Sequence, residues 1–332
     1  MDSHKMDGHR HILCLNAVKA ASKLSALRSA NIYPSGIDAR SEEINRVKGG
    51  EWDRKMSDFE ENIADLKAAG MDRGVVQPTQ TMFFYWAEPG AASELTRMVN
   101  EYTARGVHQH PEDLVGLATV PLQDVEMAVE ELTHAVERLG LRGVVIGSNV
   151  NGHGFDEKRF EPFLDKVEEL DIPIFIHPNN PAGAERISRY YLMNFLGLPL
   201  ESAVTAAQLV FGGVLDRHSK LKICLSHAGG VLPFLLGRLE HGQSVRPEAV
   251  ERCKHPFGHY LRNFYVDTIT FRRDTLRFVL EIMPEGHVFM GTDYPYDMAD
   301  TDPVGSVKAA VTGKDMQERV MGKNLSAILG LS

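Results

Sequence analysis

The chain has 332 residues, with 36 Lys and Arg against 45 Asp and Glu for a formal net charge of −9, and it is 43% hydrophobic and 24% charged. That composition is globular, which excludes a disordered or fibrous chain, and the acidic balance argues against a non-specific grip on nucleic acid. Cys14, Cys224 and Cys253 stand far apart with no CxxC pair, so a disulfide framework and a thiolate zinc site are excluded and a reducing compartment suits the chain. No apolar run reaches membrane-spanning length, and the first residues lack the apolar centre of a signal peptide. The expectation is a cytoplasmic protein with neither nucleic-acid nor membrane partners.

In chain order, apolar and β-branched runs predict strands over residues 5–13, 73–77, 114–120, 143–147, 172–177, 221–226, 264–267 and 287–291. Stretches 56–70, 124–140 and 157–171 carry apolar residues at helical spacing, with Gly70 and Gly140 as stop signals. Strands alternating with helices predict a parallel closed sheet, an α/β fold of the (β/α)8 TIM-barrel type, filling residues 1–332 as a single domain. Two segments break the rhythm. Residues 14–53 read as a long polar insertion after the first strand, with Pro34 and Gly49-Gly50 as breakers, placed to cover the mouth of a site. Residues 240–262, rich in His and Arg, read as an excursion at the barrel top or a subunit contact.

Of the 14 histidines, His108, His110, His134, His218 and His241 have polar neighbours and are expected to be solvated. Four others end or follow predicted strands. His9 and His11 form HxH, and a strand's two-residue period turns both rings to one side. His177 ends IPIFIH, His227 ends LKICLSH, and Asp293 follows HVFMGT. Barrel enzymes assemble their sites at strand C-terminal ends, so these five groups converge although 282 positions separate His11 from Asp293. Imidazoles with a carboxylate suit a zinc-type divalent ion that keeps an open coordination position.

HxH after strand one, His after strands five and six, and Asp after strand eight resemble the amidohydrolase superfamily. More narrowly, DGHRH, VPLQD, IHP, LKICLSHAGG, FLLGR, FYVD and GTDYPY resemble the aminocarboxymuconate-semialdehyde decarboxylase group along nearly the whole chain. The resemblance implies that His9, His11, His177 and Asp293 hold one divalent ion, Zn2+ by default with Mn2+ as the alternative. It implies that His227 is a general acid/base beside the metal and that Arg238 of FLLGR binds a substrate carboxylate, often across a homodimer interface. It also implies a second arginine from the segment after strand one, where this chain has Arg46 and Arg54. Strand four ends VVIGS without the lysine that bridges two metals elsewhere in the superfamily, so one metal is expected.

The activity implied is non-oxidative decarboxylation of an unsaturated or aromatic carboxylic acid in aromatic-compound catabolism. Hydrolysis of an amide, lactone or carbon–carbon bond, or hydration, uses the same Lewis acid and base and is the alternative. Substrate contacts are expected from Tyr191 and Phe195 in RYYLMNFLG and from Tyr296, which follows Pro295 three residues past Asp293 and whose hydroxyl is placed to bond a phenol or hydroxyl group.

Overall fold

The computed structural model describes residues 4–24 and 37–331. Eight parallel strands are present: β1 (Met6–Ile12), β2 (Arg73–Pro78), β3 (Leu114–Gly116), β4 (Val144–Gly147), β5 (Pro173–His177), β6 (Lys222–Leu225), β7 (Phe264–Asp267) and β8 (Val288–Phe289). Each lies within two residues of a predicted run at its start. Several stop short of the end of the predicted run, as β3 does at Gly116 and β8 at Phe289. Strands β1–β3 form one ladder and β4–β8 the other. The bridge Ala118–Val144 joins β3 to β4, and Arg10–Tyr294 joins the end of β8 back to β1, which closes the barrel. Across the second seam Gly8 N–H donates to Met290 O at 2.8 Å and Asp293 N–H to His9 O at 2.9 Å.

Helices α1 (Leu15–Ala21), α2 (Ala39–Ser57), α3 (Phe59–Ala68), α4 (Pro89–Gln109), α5 (Val125–Glu137), α6 (Glu161–Glu169), α7 (Leu198–Phe211), α8 (Val214–Arg217), α9 (Leu232–Val245), α10 (Arg273–Ile282) and α11 (Pro303–Ala310) surround or cap the sheet. Their starts are written in the sequence. Asp38, Asp58, Asp124 and Asp302 each accept a backbone N–H of the first turn that has no partner within the helix. Gly70 and Gly140 follow α3 and α5 at φ 76° and 73°, the left-handed conformation that ends a helix without a Cβ clash.

Residues 14–53 differ from expectation. Where described, this segment is α1 and most of α2 rather than a structureless loop; Pro34 lies outside the described residues. The buried stripe of α2 is Ser41, Asn45, Gly49, Trp52 and Met56. Its spacing is helical, but three of the five residues are polar or small, so hydrophobic periodicity does not reveal it. Trp52 and Met56 join Leu13, Ala17, Met82, Phe84 and Leu95 in a second apolar cluster beside the main barrel core. His218 also differs: it is 3% exposed, with Nε2 2.7 Å from Glu161 Oε2, and is a satisfied buried group. All three cysteines are buried and free, and no helix among the described residues is long and apolar enough to cross a membrane.

Candidate metal centre and active site

The strand ends bring the five predicted groups together. Every residue of β1 is buried, and His9 and His11 present their rings 5.1 Å apart into the barrel mouth. Between them Arg10 is fully buried on another side. Its guanidinium donates to Asn62 Oδ1 and Asn62 O at 2.6 Å and to Asp7 at 3.1 Å, and packs 3.7 Å over the Tyr294 ring. This cationic anchor locks the register of the HxH pair. His177 closes β5, with its ring 5.3 Å from His9 and 5.1 Å from His11. Asp293 stands just past β8 at φ 65°, held by its N–H on His9 O. The approach there is tight: a Cβ at Gly291 would lie 3.0 Å from the Cβ atoms of both His9 and Asp267, which explains the glycine of GTDYPY.

Each of His9, His11, His177 and Asp293 offers a ligand atom, and these atoms all lie within 4.8 Å of one another. His9 Nδ1 donates to Asp267 Oδ2 at 2.8 Å, and His177 Nδ1 is 3.2 Å from Pro178 O, which leaves the Nε2 atom of each buried without a hydrogen-bond partner. An unpartnered buried nitrogen costs about 1–3 kcal/mol, and two aimed into one cluster are what a cation would satisfy.

Charge agrees. Burial holds the His11 pKa down at about 4 against the pull of Asp293, and burial with the neighbouring imidazoles holds His177 well below its usual value. Burial opposes ionisation of Asp293 and Asp267, yet hydrogen bonds, from His11 and His227 in the first case and His9 and Ala228 N–H in the second, keep both below the ordinary carboxylate value. Burial likewise opposes charge on His9, but the Asp267 hydrogen bond and the two carboxylates outweigh it and raise its pKa. Neutral His11 and His177 beside an ionised Asp293 are in the ligand state a divalent ion requires, and a cation bound there takes the place of the second ring proton that the carboxylates favour on His9. The residues fit the group.

His227 stands beside this set, with Nε2 3.5 Å from Asp293 Oδ2 and its ring 5.3 Å from those of His9 and His177. It borders two cavities that share Asn194, Leu198, His227 and Asp293 in their walls. The larger, about 750 Å³, is mostly apolar, with Phe195, Phe234, Ile269 and Phe271 in its walls. The smaller, about 90 Å³, lies against His177 and is lined by Asn45, Trp52, Gln80, Tyr191 and Tyr296. Tyr296 is 5.1 Å from the His11 ring centroid, and its hydroxyl is 2.6 Å from Thr79 Oγ1. Tyr191, Phe195 and Tyr296 thus all border the site. Arg238 does not border it within one chain; it is exposed on α9. Arg46 and Arg54 also lie away from both cavities, Arg54 pairing with Glu61, while Asn45 next to Arg46 faces in. No lysine or arginine is among the described residues lining either cavity.

The end of β4 carries Ser148, buried and bonded to Asn179, so no bridging lysine stands there. Sequence reasoning missed Asn45, Trp52 and Gln80, which the polar stripe of α2 and a short turn after β2 bring in. It also gave no role to Asp267, although Asp267 obeys the same rule as the others, a titratable residue at a strand's C-terminal end.

A parallel eight-stranded barrel with an imidazole–carboxylate cluster at its C-terminal face defines the metal-dependent hydrolase type of TIM barrel. The sequence model of the amidohydrolase family (Amidohydro_2) matches residues 6–331, and the chain belongs to that family. A 2-amino-3-carboxymuconate-6-semialdehyde decarboxylase of Dictyostelium discoideum is 34% identical over 286 residues, 85% of this chain and 79% of that one. A gamma-resorcylate decarboxylase of Rhodococcus jostii is 31% identical over 277 residues, 76% and 82% of the two chains. Among solved structures, a dihydroxybenzoic acid decarboxylase from Polaromonas sp. with bound manganese and 2-nitroresorcinol superposes with a TM-score of 0.81 at 21% identity, over 99% of this chain and 97% of that one. The chain carries a divalent-metal-binding site of this family.

Proposed function

We propose that the protein is a metal-dependent, non-oxidative decarboxylase of an unsaturated or aromatic carboxylic acid. His9, His11, His177 and Asp293 hold one divalent ion, and His227 is the general acid/base. The observation that carries this reading is the convergence of four ligand atoms within 4.8 Å under an apolar cavity whose edge is His227. Both sequence relatives described above are decarboxylases by name. Bound there, a divalent ion is a Lewis acid that anchors and polarises the substrate's carboxylate or an adjacent oxygen.

The protein's own groups supply the rest. His227 Nε2 delivers a proton to the carbon that bears the carboxylate; the carbon–carboxylate bond then breaks, its electron pair is retained by that carbon, and CO2 leaves. Apolar walls favour this step, because a charged carboxylate becomes an uncharged gas as the reaction proceeds. Phe195 and Tyr191 pack the unsaturated skeleton, and the Tyr296 hydroxyl, set by Thr79, addresses an oxygen substituent. Among the described residues of a single chain, the cavity walls hold no lysine or arginine for a second substrate carboxylate. Arg238 supplies the cation from a second copy, since Phe234, one helical turn away, is both exposed and part of the cavity wall. This reading takes the assembly to be a homodimer.

Three nitrogens and one oxygen suit zinc, with manganese as the competitor, as in the Polaromonas structure. Three free buried thiols suit the cytoplasm, where this reading places the protein. The test is CO2 release by metal-reconstituted protein on muconate semialdehydes, hydroxybenzoates and pyridine carboxylates, with Asp293→Ala as control. Release that vanishes in the control supports a carboxy-lyase. A product that gains water without losing CO2 would instead establish a hydrolase or hydratase.

A further inference from the structure

Asp267, the last residue of β7, is completely buried, and its carboxylate accepts four hydrogen bonds. Oδ2 accepts from His9 Nδ1 and from the backbone N–H of His227, each at 2.8 Å. Oδ1 accepts from the N–H of Ala228 at 2.7 Å and of Ile269 at 3.0 Å. No arginine or lysine contacts it among the described residues. The charge is balanced by a ring N–H and backbone dipoles alone.

Two of these bonds explain a strained stretch of chain. His227 and Ala228 both have left-handed backbones, φ 56° and 57°, followed by Gly229 and Gly230 at 73° and 62°. Non-glycine residues pay a steric penalty of about 1–2 kcal/mol each in this region and persist only where the surroundings impose it. Successive N–H groups in such a run form a concave anion cradle, and here the anion is a protein side chain. The Asp267 carboxylate therefore fixes the turn that carries His227. Its third partner fixes the other side: with Nδ1–H committed to Oδ2, His9 has only Nε2 left, with its lone pair facing the metal ligands.

We propose that Asp267 is a positioning residue that sets the His9 tautomer for metal binding and, through the same oxygen, places His227 against the metal site. One side chain couples the ligand to the acid/base. The inference rests on the metal-centre reading above.

The test uses zinc-loaded full-length protein. Histidine-selective 15N NMR, with His9→Gln for assignment, is expected to show His9 protonated at Nδ1 and slow to exchange; a His9 protonated at Nε2 would overturn the proposal without any Asp267 variant. Asp267→Asn can accept on one side-chain atom only. It is expected to weaken zinc about 10–100-fold in chelator competition and to remove exchange protection from the His227 and Ala228 amides. Thr268→Val removes the neighbouring buried hydroxyl, which bonds Gly291 N–H at 3.3 Å, and is expected to change neither readout. Zinc affinity or amide protection unchanged in Asp267→Asn, or an equal loss of zinc affinity in Thr268→Val, would overturn the assignment. A wild-type protein that takes up no zinc would defeat the metal-centre reading itself, a result distinct from a variant that matches wild type.

Discussion

Buried imidazoles occur at both ends of this barrel, and they are buried for different reasons. At the N-terminal end His218 is 3% exposed, just before β6, and its Nε2 meets Glu161 at 2.7 Å while Arg217 shares the same carboxylate. It is left with no unpartnered buried nitrogen. At the C-terminal end His9, His11, His177 and His227 each keep one buried ring nitrogen without a hydrogen-bond partner. A folded chain tolerates one such atom as strain; the Nε2 atoms of His9 and His177, both in the cluster around Asp293, mark a place built for something the chain does not supply. Burial alone does not separate a structural histidine from a ligand. The unpartnered nitrogen does.

Breaking the C-terminal cluster should have the largest effect. His177→Ala and Asp293→Ala each remove a ligand and are expected to abolish stoichiometric metal and lower kcat/KM by about 10³-fold or more, since a Lewis acid contributes several kcal/mol to the transition state. Metal analysis of purified variants beside their CO2 release checks this. Chelation should have the same effect on the wild type, reversed by added metal, and should remove about 2.7 kcal/mol of stability at metal concentrations a hundredfold above Kd. Next comes His227→Ala. Loss of a positioned acid/base lowers rate about 10²–10⁴-fold, with metal content intact. A full-rate, metal-loaded His227→Ala would end the proton-transfer role. Tyr296→Phe deletes a hydroxyl bonded to Thr79 at 2.6 Å and is expected to lower kcat/KM severalfold, in line with about 0.5–1.5 kcal/mol for one hydrogen bond. The loss should be confined to substrates that carry an oxygen next to the carboxylate.

The same contrast explains what the sequence discloses. Strand ends are legible, because β-branched runs such as IPIFIH and LKICLSH stop at the histidine, and the rule that barrel sites lie at strand C-termini does the rest. Partner atoms are not. His218 has polar neighbours in the sequence and reads as solvated, yet Glu161, which satisfies it in the fold, is 57 positions away and announces itself by no spacing. Asp267 sits in the quoted FYVD run, but its link to His9 spans 258 positions and needs the closed barrel to exist. The cover over the mouth is legible in residues 14–53, but its helix α2 is not, for a different reason. Its inward face is Ser41, Asn45, Gly49, Trp52 and Met56, of which only Trp52 and Met56 are apolar, so a hydrophobic pattern that serves elsewhere in the chain fails here, where Asn45 and Trp52 border the site. Arg238 is the converse case: its motif is plain in the sequence, while among the described residues of one chain it stands exposed on α9 and lines neither cavity.

The N-terminal end supplies the smallest effect on activity and the sharpest control. His218→Ala removes a buried ring and one hydrogen bond to Glu161, which keeps Arg217 through Nε at 2.9 Å. The carboxylate is therefore not stranded, and the expected destabilisation is about 1–3 kcal/mol, read as a lower denaturant midpoint with an unchanged slope. Because β6 separates His218 from His227, and neither cavity touches His218, metal content and kcat per folded molecule should equal wild type. Loss of metal in His218→Ala would show that the two ends are coupled through β6 and that partner satisfaction does not sort the histidines. Loss of stability alone would mean that an exchange of roles is written in hydrogen bonds: the same residue type, equally buried, is structure where its nitrogens are answered and chemistry where they are not.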